Sequence, residues 1–378
     1  MYKIDYPFNK EIMACGAQHL ANFCLTKKDC GFIMNDLGNL NESSAWDRYQ
    51  NEISRLRKEL KVKPKVITSD LNPGFNSTKY GQAAAAGAKG VKYLAVQHQK
   101  AHLASCIGEN NLEGKTIGVV LDGAGYGEDA KFWGAEVFLG NLQEMERVAH
   151  LEYTAVPKAF TGAISSTQQL AASFLYQSYG DSFTELPLDF VQRKTKDDWQ
   201  DLILRLQDPL HTTSMASIFD VVAVMLGLRE NIEQEGQGVS ELERIINRSS
   251  HVSGHCYDFT LQRNKESWII NFDKIFQNIV EDLKKSISRS IISTVLHNTI
   301  CEMIKQTCLK VNHKQKVKNV VLTGSVFQNK SLFNKAKSLL TAEGFNIVEH
   351  KHFACNDSNI SFGQAVYANA QKKAAAKP

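Results

Sequence analysis

Residues Thr116 to Glu136 read TIGVVLDGAGYGEDAKFWGAE, and this stretch decides how the chain is understood. Ile117, Val119 and Leu121 alternate on a β-branched run, the pattern of a buried strand. The strand is expected to end on Asp122, with Gly123, Gly125 and Gly127 following at every second position. A carboxylate at a strand tip can hold a cation. Amides without a neighbouring Cβ can close on phosphate oxygens. Phe132 to Phe138 resumes a strand pattern, so the whole predicts a hairpin whose turn holds more glycine than a turn requires. A loose surface hairpin would account for a lone DGxG. A second glycine-bearing strand end, Val320 to Asn329, and an HxxxH just upstream favour a functional reading instead.

With 378 residues the chain can form one large two-lobed unit or two domains with ample core. Its formal net charge of +4 is too slight for this length to imply a nucleic-acid surface. Eight cysteines are scattered without CxxC pairs. With no signal peptide at Met1 and no apolar run long enough to span a bilayer, they read as reduced thiols of a cytoplasmic protein without a membrane partner. Cys301 and Cys308 share a helix face, where buried packing explains them, and His255 and Cys256 receive no role.

Short apolar runs at Ile12 to Ala17, Asn22 to Leu25 and Gly31 to Met34 predict an antiparallel meander that opens a first lobe. Ser44 and Asp47 have the spacing of a capping box, before a helix with Trp46, Tyr49, Ile53, Leu56 and Leu60 on its apolar face. Strands follow at Val66 to Thr68, ending at Asp70, and at Tyr93 to Gln97, which delivers the chain into a helix carrying His98 and His102. The first lobe is drawn over 1–115 and a second over 116–365. The second is interrupted by a long helical stretch at about 164–312, which itself contains two strands around Tyr257 to Ile270. Residues 366–378 form a helix end and a polar tail. Two strand-rich starts, at Ile12 and Thr116, point to duplicated lobes.

His98 and His102 stand at i and i+4, so on a helix both imidazoles project from one face. The pair reads either as metal ligands or as two surface histidines. Adjacent strand ends share an edge in a parallel sheet, where open α/β folds place ligands, and Asp122 ends the next strand. Asp357, in the loop before the last helix, can add another oxygen. Two imidazoles with two carboxylates suit iron, zinc or manganese better than magnesium. Thr323 to Asn329 turns from a buried strand into a helix, either an ordinary βα turn or a phosphate site. Asp220, on an apolar helix, needs a partner: a substrate or ribose hydroxyl, or a structural group such as a helix N-terminus. Asp70 and Ser77-Thr78 are consistent with turn chemistry alone. Cys106, one turn beyond His102, has nothing near it in sequence to lower its pKa.

These motifs together resemble the C-terminal transferase region of the hydrogenase-maturation carbamoyltransferase HypF, which is related to TsaD and TobZ. The resemblance runs from about Ala14 to Ala370. It is carried by Ser69-Asp70-Leu71-Asn72-Pro73, Val96-Gln97-His98 through His102, Leu121-Asp122-Gly123 through Gly127, and Trp133-Gly134. Further matches are Phe219-Asp220, Glu235-Gly236-Gln237, His297-Asn298-Thr299, Leu322 through Asn329, and Asn356-Asp357 through Ala365. It implies the α/β, two-lobed actin-like ATPase (ASKHA) fold, with the helical insertion in the second lobe. It also implies that His98, His102, Asp122 and Asp357 hold one iron or zinc ion against a bound carbamoyl-adenylate. Gly123, Gly125, Gly324, Ser325 and Asn329 would line the ATP-derived AMP moiety, with Asp220 near its ribose. An acceptor, either a protein cysteine thiol or a small-molecule hydroxyl, would take the carbamoyl group.

The chain also departs from the family. Ser165 to Gln169 stands where the family has an Arg-bearing Pro-Trp-Arg segment, and Ala216-Ser217 where it has Gly-Arg. A Ser or Gln does not replace a bidentate guanidinium. The usual Gly-Gly after the late strand is Gly324-Ser325, and the usual His of Leu-His-Pro is Asn72. The acylphosphatase, zinc-finger and adenylate-forming YrdC-like parts that precede this region in HypF have no counterpart in the sequence. The reading is therefore a carbamoyltransferase served by a separate YrdC-like protein. The alternative is a catalytically impaired regulatory paralogue that keeps nucleotide and metal.

Overall fold

The computed structural model describes residues 1–158, 166–232, 236–247 and 254–371. Ser165, Glu235 and most of the polar tail lie outside those residues. Alternating apolar runs near the start build a six-stranded sheet of β1 (Tyr2–Asp5), β2 (Ile12–Ala14), β3 (Cys24–Lys27), β4 (Cys30–Ile33), β5 (Val66–Asp70) and β6 (Lys92–Val96). Helix α1 (Ser43–Glu59) and α2 (Asn76–Ala86) lie between its later strands, and α3 (His98–Glu109) leaves the last one. The order is β1-β4-β3-β2-β5-β6, with β2, β5 and β6 parallel and the rest antiparallel. Strand β1 was not foreseen. It is an edge strand with only Ile4 buried, so it carries no alternation to read.

The second sheet starts with β7 (Thr116–Tyr126), β8 (Phe132–Gly140), β9 (Met145–Leu151) and β10 (Thr154–Val156). The insertion follows: α4 (Ser166–Tyr179), α5 (Asp189–Gln192), α6 (Lys196–Arg205), β11 (Leu210–Thr212), α7 (Met215–Met225), α8 (Gln237–Arg244), β12 (Thr260–Arg263), β13 (Trp268–Asn271), α9 (Asp273–Lys284) and α10 (Arg289–Asn312). The chain closes with β14 (Asn319–Thr323), α11 (Lys330–Ala342), β15 (Asn346–Val348) and α12 (Ile360–Ala370). The central strand order is β9-β8-β7-β14-β15, antiparallel through β9, β8 and β7 and parallel through β7, β14 and β15. The first lobe orders β4-β3-β2-β5-β6 in the same way. The two lobes thus repeat one topology, the two-lobed actin-like ATPase (ASKHA) architecture, with the helical insertion in the second.

Three expectations are corrected. The strand β7 does not end at Asp122: pairing with β8 breaks between Leu121 and Gly125 and resumes at Gly125↔Trp133. Asp122 therefore sits at a bulge, and the hairpin turn lies later, where the Gly127 amide donates to the Lys131 carbonyl at 2.7 Å. The Ser44–Asp47 capping box does not form, because α1 starts at Ser43 behind Glu42 without a side-chain cap. Backbone bonds from Leu37 to Ala21 and from Leu40 to Gln18 fix that entry point. Finally, α12 packs against α3, β2 and β5, so the boundary at 365/366 falls inside a helix that completes the first lobe.

The contact between α3 and α12 is close enough to require glycine. A Cβ on Gly363 would overlap the carbonyl oxygen of Ala101. Intrinsic helix propensity favours Gly363→Ala by about 1 kcal/mol, but the obstacle is backbone and cannot rotate away. The variant is expected to lose about 2 kcal/mol or more in urea denaturation at an unchanged m-value; a gain would mean that the two helices are free to separate.

Candidate metal centre

Helix α3 follows β6 directly, and Gln97 caps it by accepting the Lys100 amide. That start puts His98 and His102 on one face, with rings crossing edge to face at 4.9 Å. The bulge in β7 turns Asp122 toward them: its Oδ2 lies 3.5 Å from Nε2 of each histidine. The loop before α12 brings Asp357, whose Oδ1 is 3.4 Å from His98 Nε2 and 3.7 Å from His102 Nε2. One ligand atom from each of the four residues lies within 4.8 Å of all the others. Nε2 of His102 is buried without a hydrogen-bond partner. An orphaned nitrogen facing two carboxylate oxygens is the position a cation completes.

Partners behind the ligands set their orientation. His98 Nδ1–H donates to Asp70 Oδ2 at 2.7 Å, and His102 Nδ1–H donates to Asn359 Oδ1 at 2.9 Å. Both bonds leave Nε2 as the atom turned inward. Asp70 also accepts the Asn72 amide at 2.8 Å, so the turn chemistry read from the sequence is present and a second task is added to it. Burial pushes the His98 imidazole down, but Asp357, Asp70 and Asp122 outweigh it and hold it well above its ordinary range. Burial likewise raises Asp122, and His102 and His98 reverse that, holding it well below the usual carboxylate range. A positive charge among the acids is thus electrostatically favoured at this point.

The glycine turns meet beside the centre. Gly324, at φ +100°, lies against the Leu121 carbonyl, where a Cβ would collide. It delivers Ser325, whose amide and hydroxyl both donate to Asp122 Oδ1, at 3.0 and 2.6 Å. Gly123 is buried, with its carbonyl against Gly134, and Gly125 packs directly on His98 and Gln99 of α3. Asn329 is only 2% exposed and fully engaged: it caps α11 through the Leu332 amide and donates to His297 Nε2 at 2.7 Å. His297 donates in turn to the Ser293 carbonyl, and burial pushes its imidazole down to about 4. For Asp220 the structure supplies the helix N-terminus, the Gly238 amide at 3.1 Å. Burial still raises its carboxyl to about 7.

Asn359 was missed by the sequence reading, since an Asn beside Asn356-Asp357 carries no pattern of its own. Also missed was the buried Glu136–Arg147 pair, in which Glu136 accepts the Gly134 amide at 3.0 Å and the guanidinium stacks 4.0 Å from the Trp133 ring. A second group, Cys106, Glu109 and His350, also clusters. There each polar atom has a partner: Glu109 accepts from His350 and from the Lys351 and His352 amides, and His350 Nε2 meets Thr323 Oγ1 at 2.8 Å. That group clamps the chain after β15. All eight cysteines are free, and Cys301 and Cys308 are fully buried as expected. Among the described residues no helix is long and apolar enough to cross a membrane.

Comparison with known proteins places this geometry. A family model described as carbamoyltransferase, Kae1-like domain, second subdomain, matches residues 118–364. Another, described as the HypF Kae1-like domain, matches residues 7–109. The probable carbamoyltransferase HypF of Methanocaldococcus jannaschii is 28% identical over 96% of this chain and 47% of its own length. A crystal structure of full-length HypF in a phosphate- and nucleotide-bound form superposes with a TM-score of 0.87 at 31% identity, over 96% of this chain and 47% of that one. The chain thus spans about half the length of these relatives. It spans 93% of a carbamoyltransferase HypF homolog from Cupriavidus necator, at 23% identity.

Asp220 gives the region a measurable pH signature. Its ordinary value of 3.8 rises to about 7 on folding, so between the two the folded chain keeps a proton that the unfolded chain has lost. Stability from this group is complete below the lower value and falls as pH rises through the upper one. Asp220→Asn is expected to flatten that slope and to raise stability above about pH 7 by a few kcal/mol. Urea midpoints at about pH 5 and about pH 8 measure it, and an unchanged slope would mean the carboxylate is ionised and paired.

Proposed function

The chain belongs to the HypF Kae1-like domain family, and from that membership we propose that it transfers a carbamoyl group from carbamoyl-adenylate to an acceptor, releasing AMP. The observation that carries this reading is the buried, unpartnered Nε2 of His102 facing Asp122 and Asp357 beside His98. Two imidazole nitrogens and two carboxylate oxygens are a donor set for iron or zinc. When bound, such an ion supplies Lewis-acid polarisation of the carbamoyl carbonyl. Asp70 and Asn359 hold the two imidazoles with Nε2 inward, so the ligands need no reorganisation.

The nucleotide reading is supported by the Gly324–Ser325 turn, which lies against Leu121 next to Asp122, and by the nucleotide-bound relative. Gly123, Gly125, Gly324 and Ser325 then border the AMP moiety, with Asn329 holding the turn from behind. Asp220, whose carboxyl burial raises to about 7, is suited to bond a ribose hydroxyl. In the reaction the acceptor's sulfur or oxygen forms a bond to the carbamoyl carbon. The bond from that carbon to the adenylate oxygen breaks, AMP leaves with the electron pair, and the acceptor's proton passes to solvent. The acceptor is a protein cysteine thiol, as in HypF-type hydrogenase maturation, or a small-molecule hydroxyl. A YrdC-like adenylate-forming protein supplies the donor, in the cytoplasm, with no nucleic-acid or membrane partner.

One observation favours a regulatory paralogue that binds metal and nucleotide without turnover. The α7 start has Ser217, bonded to the Ser214 hydroxyl at 2.9 Å, where the family's arginine would balance phosphate charge. Metal analysis of chain purified without chelator is expected to find about one iron or zinc per molecule, as the four-ligand site requires, and much less after combined His98→Ala and His102→Ala. Carbamoyl phosphate, ATP and a YrdC-like protein then provide the donor. Acceptor-dependent AMP release supports transfer. Metal and nucleotide binding without it supports the paralogue, and no metal in either protein overturns both.

A further inference from the structure

We infer that Ser325 is a positioning residue for the metal centre, dedicating one oxygen of Asp122 to the protein and the other to the ion; the inference rests on the metal reading above. Two donors from one residue converge on Asp122 Oδ1, the Ser325 amide at 3.0 Å and its hydroxyl at 2.6 Å. The other oxygen, Oδ2, is the one that stands 3.5 Å from both imidazole nitrogens. Asp122 is only 2% exposed and Ser325 is half-buried, so rotating the carboxylate would break both bonds to Oδ1. The carboxylate is thereby presented through a single oxygen.

Ser325 is itself fixed. Strand β14 runs parallel to β7 in the register Thr323↔Val120, and Gly324 packs on the Leu121 carbonyl immediately before it. Its hydroxyl stands where the HypF pattern has a second glycine, which would offer the amide alone. This chain therefore adds a donor, and the addition falls on a metal ligand. His98 and His102 are braced in the same manner by Asp70 and Asn359, so three of the four ligands each have a dedicated partner. Holding Asp122 to one oxygen keeps the ligand set at four atoms and leaves the ion's remaining positions to substrate.

Cobalt(II) alone, bound to the whole chain, is the probe. Chelator competition gives its affinity, and the visible absorption of the bound ion reports coordination number. Ser325→Ala and Ser325→Gly are expected to bind cobalt about tenfold more weakly, the usual cost of removing a partner behind a ligand, with a less intense band as Asp122 turns two oxygens inward. Ser325→Thr keeps the hydroxyl and is expected to restore both. Melting temperatures of the metal-free proteins verify that each variant is folded. Equal affinity and an unchanged spectrum in the alanine and glycine variants would overturn the role of Ser325 while the metal site stands. Failure of the unsubstituted chain to take up cobalt would remove the metal reading and this inference with it.

Discussion

Two imidazoles and three carboxylates are gathered in a space nearly closed to water, and the rest of the site follows from that electrostatic problem. Burial raises the Asp122 carboxyl there, and His102 and His98 outweigh it and hold it well below the usual carboxylate range. Burial lowers the His98 imidazole, and Asp357, Asp70 and Asp122 outweigh it and hold it well above its ordinary range, which marks the point as one that favours a cation. Other arrangements nearby keep the donors aimed: the bulge that swings Asp122 out of the β7 ladder, the helix start that sets the two histidines edge to face, and the loop that carries Asp357 in from before α12. Each of these is a backbone feature. The side chains at the centre therefore inherit their geometry from the sheet rather than from one another.

The convergence of His98, His102, Asp122 and Asp357 was legible from sequence because each has a local signature. HxxxH after a strand, an Asp between a β-branched run and a row of glycines, and an Asp before a terminal helix can all be seen without knowledge of the fold. What stayed hidden is what depends on neighbours far along the chain. Asn359 is an ordinary polar residue until His102 is placed beside it. The glycines after Asp122 suggested bare amides open to phosphate because their spacing is visible, whereas the helix that Gly125 packs against is not. Similarly, Asn329 looked like a nucleotide contact by its position in a glycine turn. Its partner His297 lies 32 residues earlier on another helix, and only coordinates join them.

Most of the architecture was equally readable, and its errors are instructive. The meander and the parallel strands announce themselves through β-branched runs, and the duplication of lobes is visible as two such starts. The edge strand β1, with one buried residue, has no alternation to betray it, and β10 and β11 are three residues each, too short for a pattern to stand out. The boundary after residue 365 set the end of the last helix apart together with the polar tail. The physical boundary is set by what α12 packs against, and that is the first lobe.

That return of α12 orders events during folding. The Gly16 amide donates to Gln364 and the Asn9 amide to Asn369, partners separated by 348 and 360 positions. The first-lobe sheet thus lacks one of its covering helices until residues 360–370 have been synthesised. A nascent chain must keep exposed apolar strands from aggregating while the second half forms, and its slowest contacts are those of highest sequence separation. The first lobe is therefore not complete on its own; a cut before Ile360 removes one of its walls.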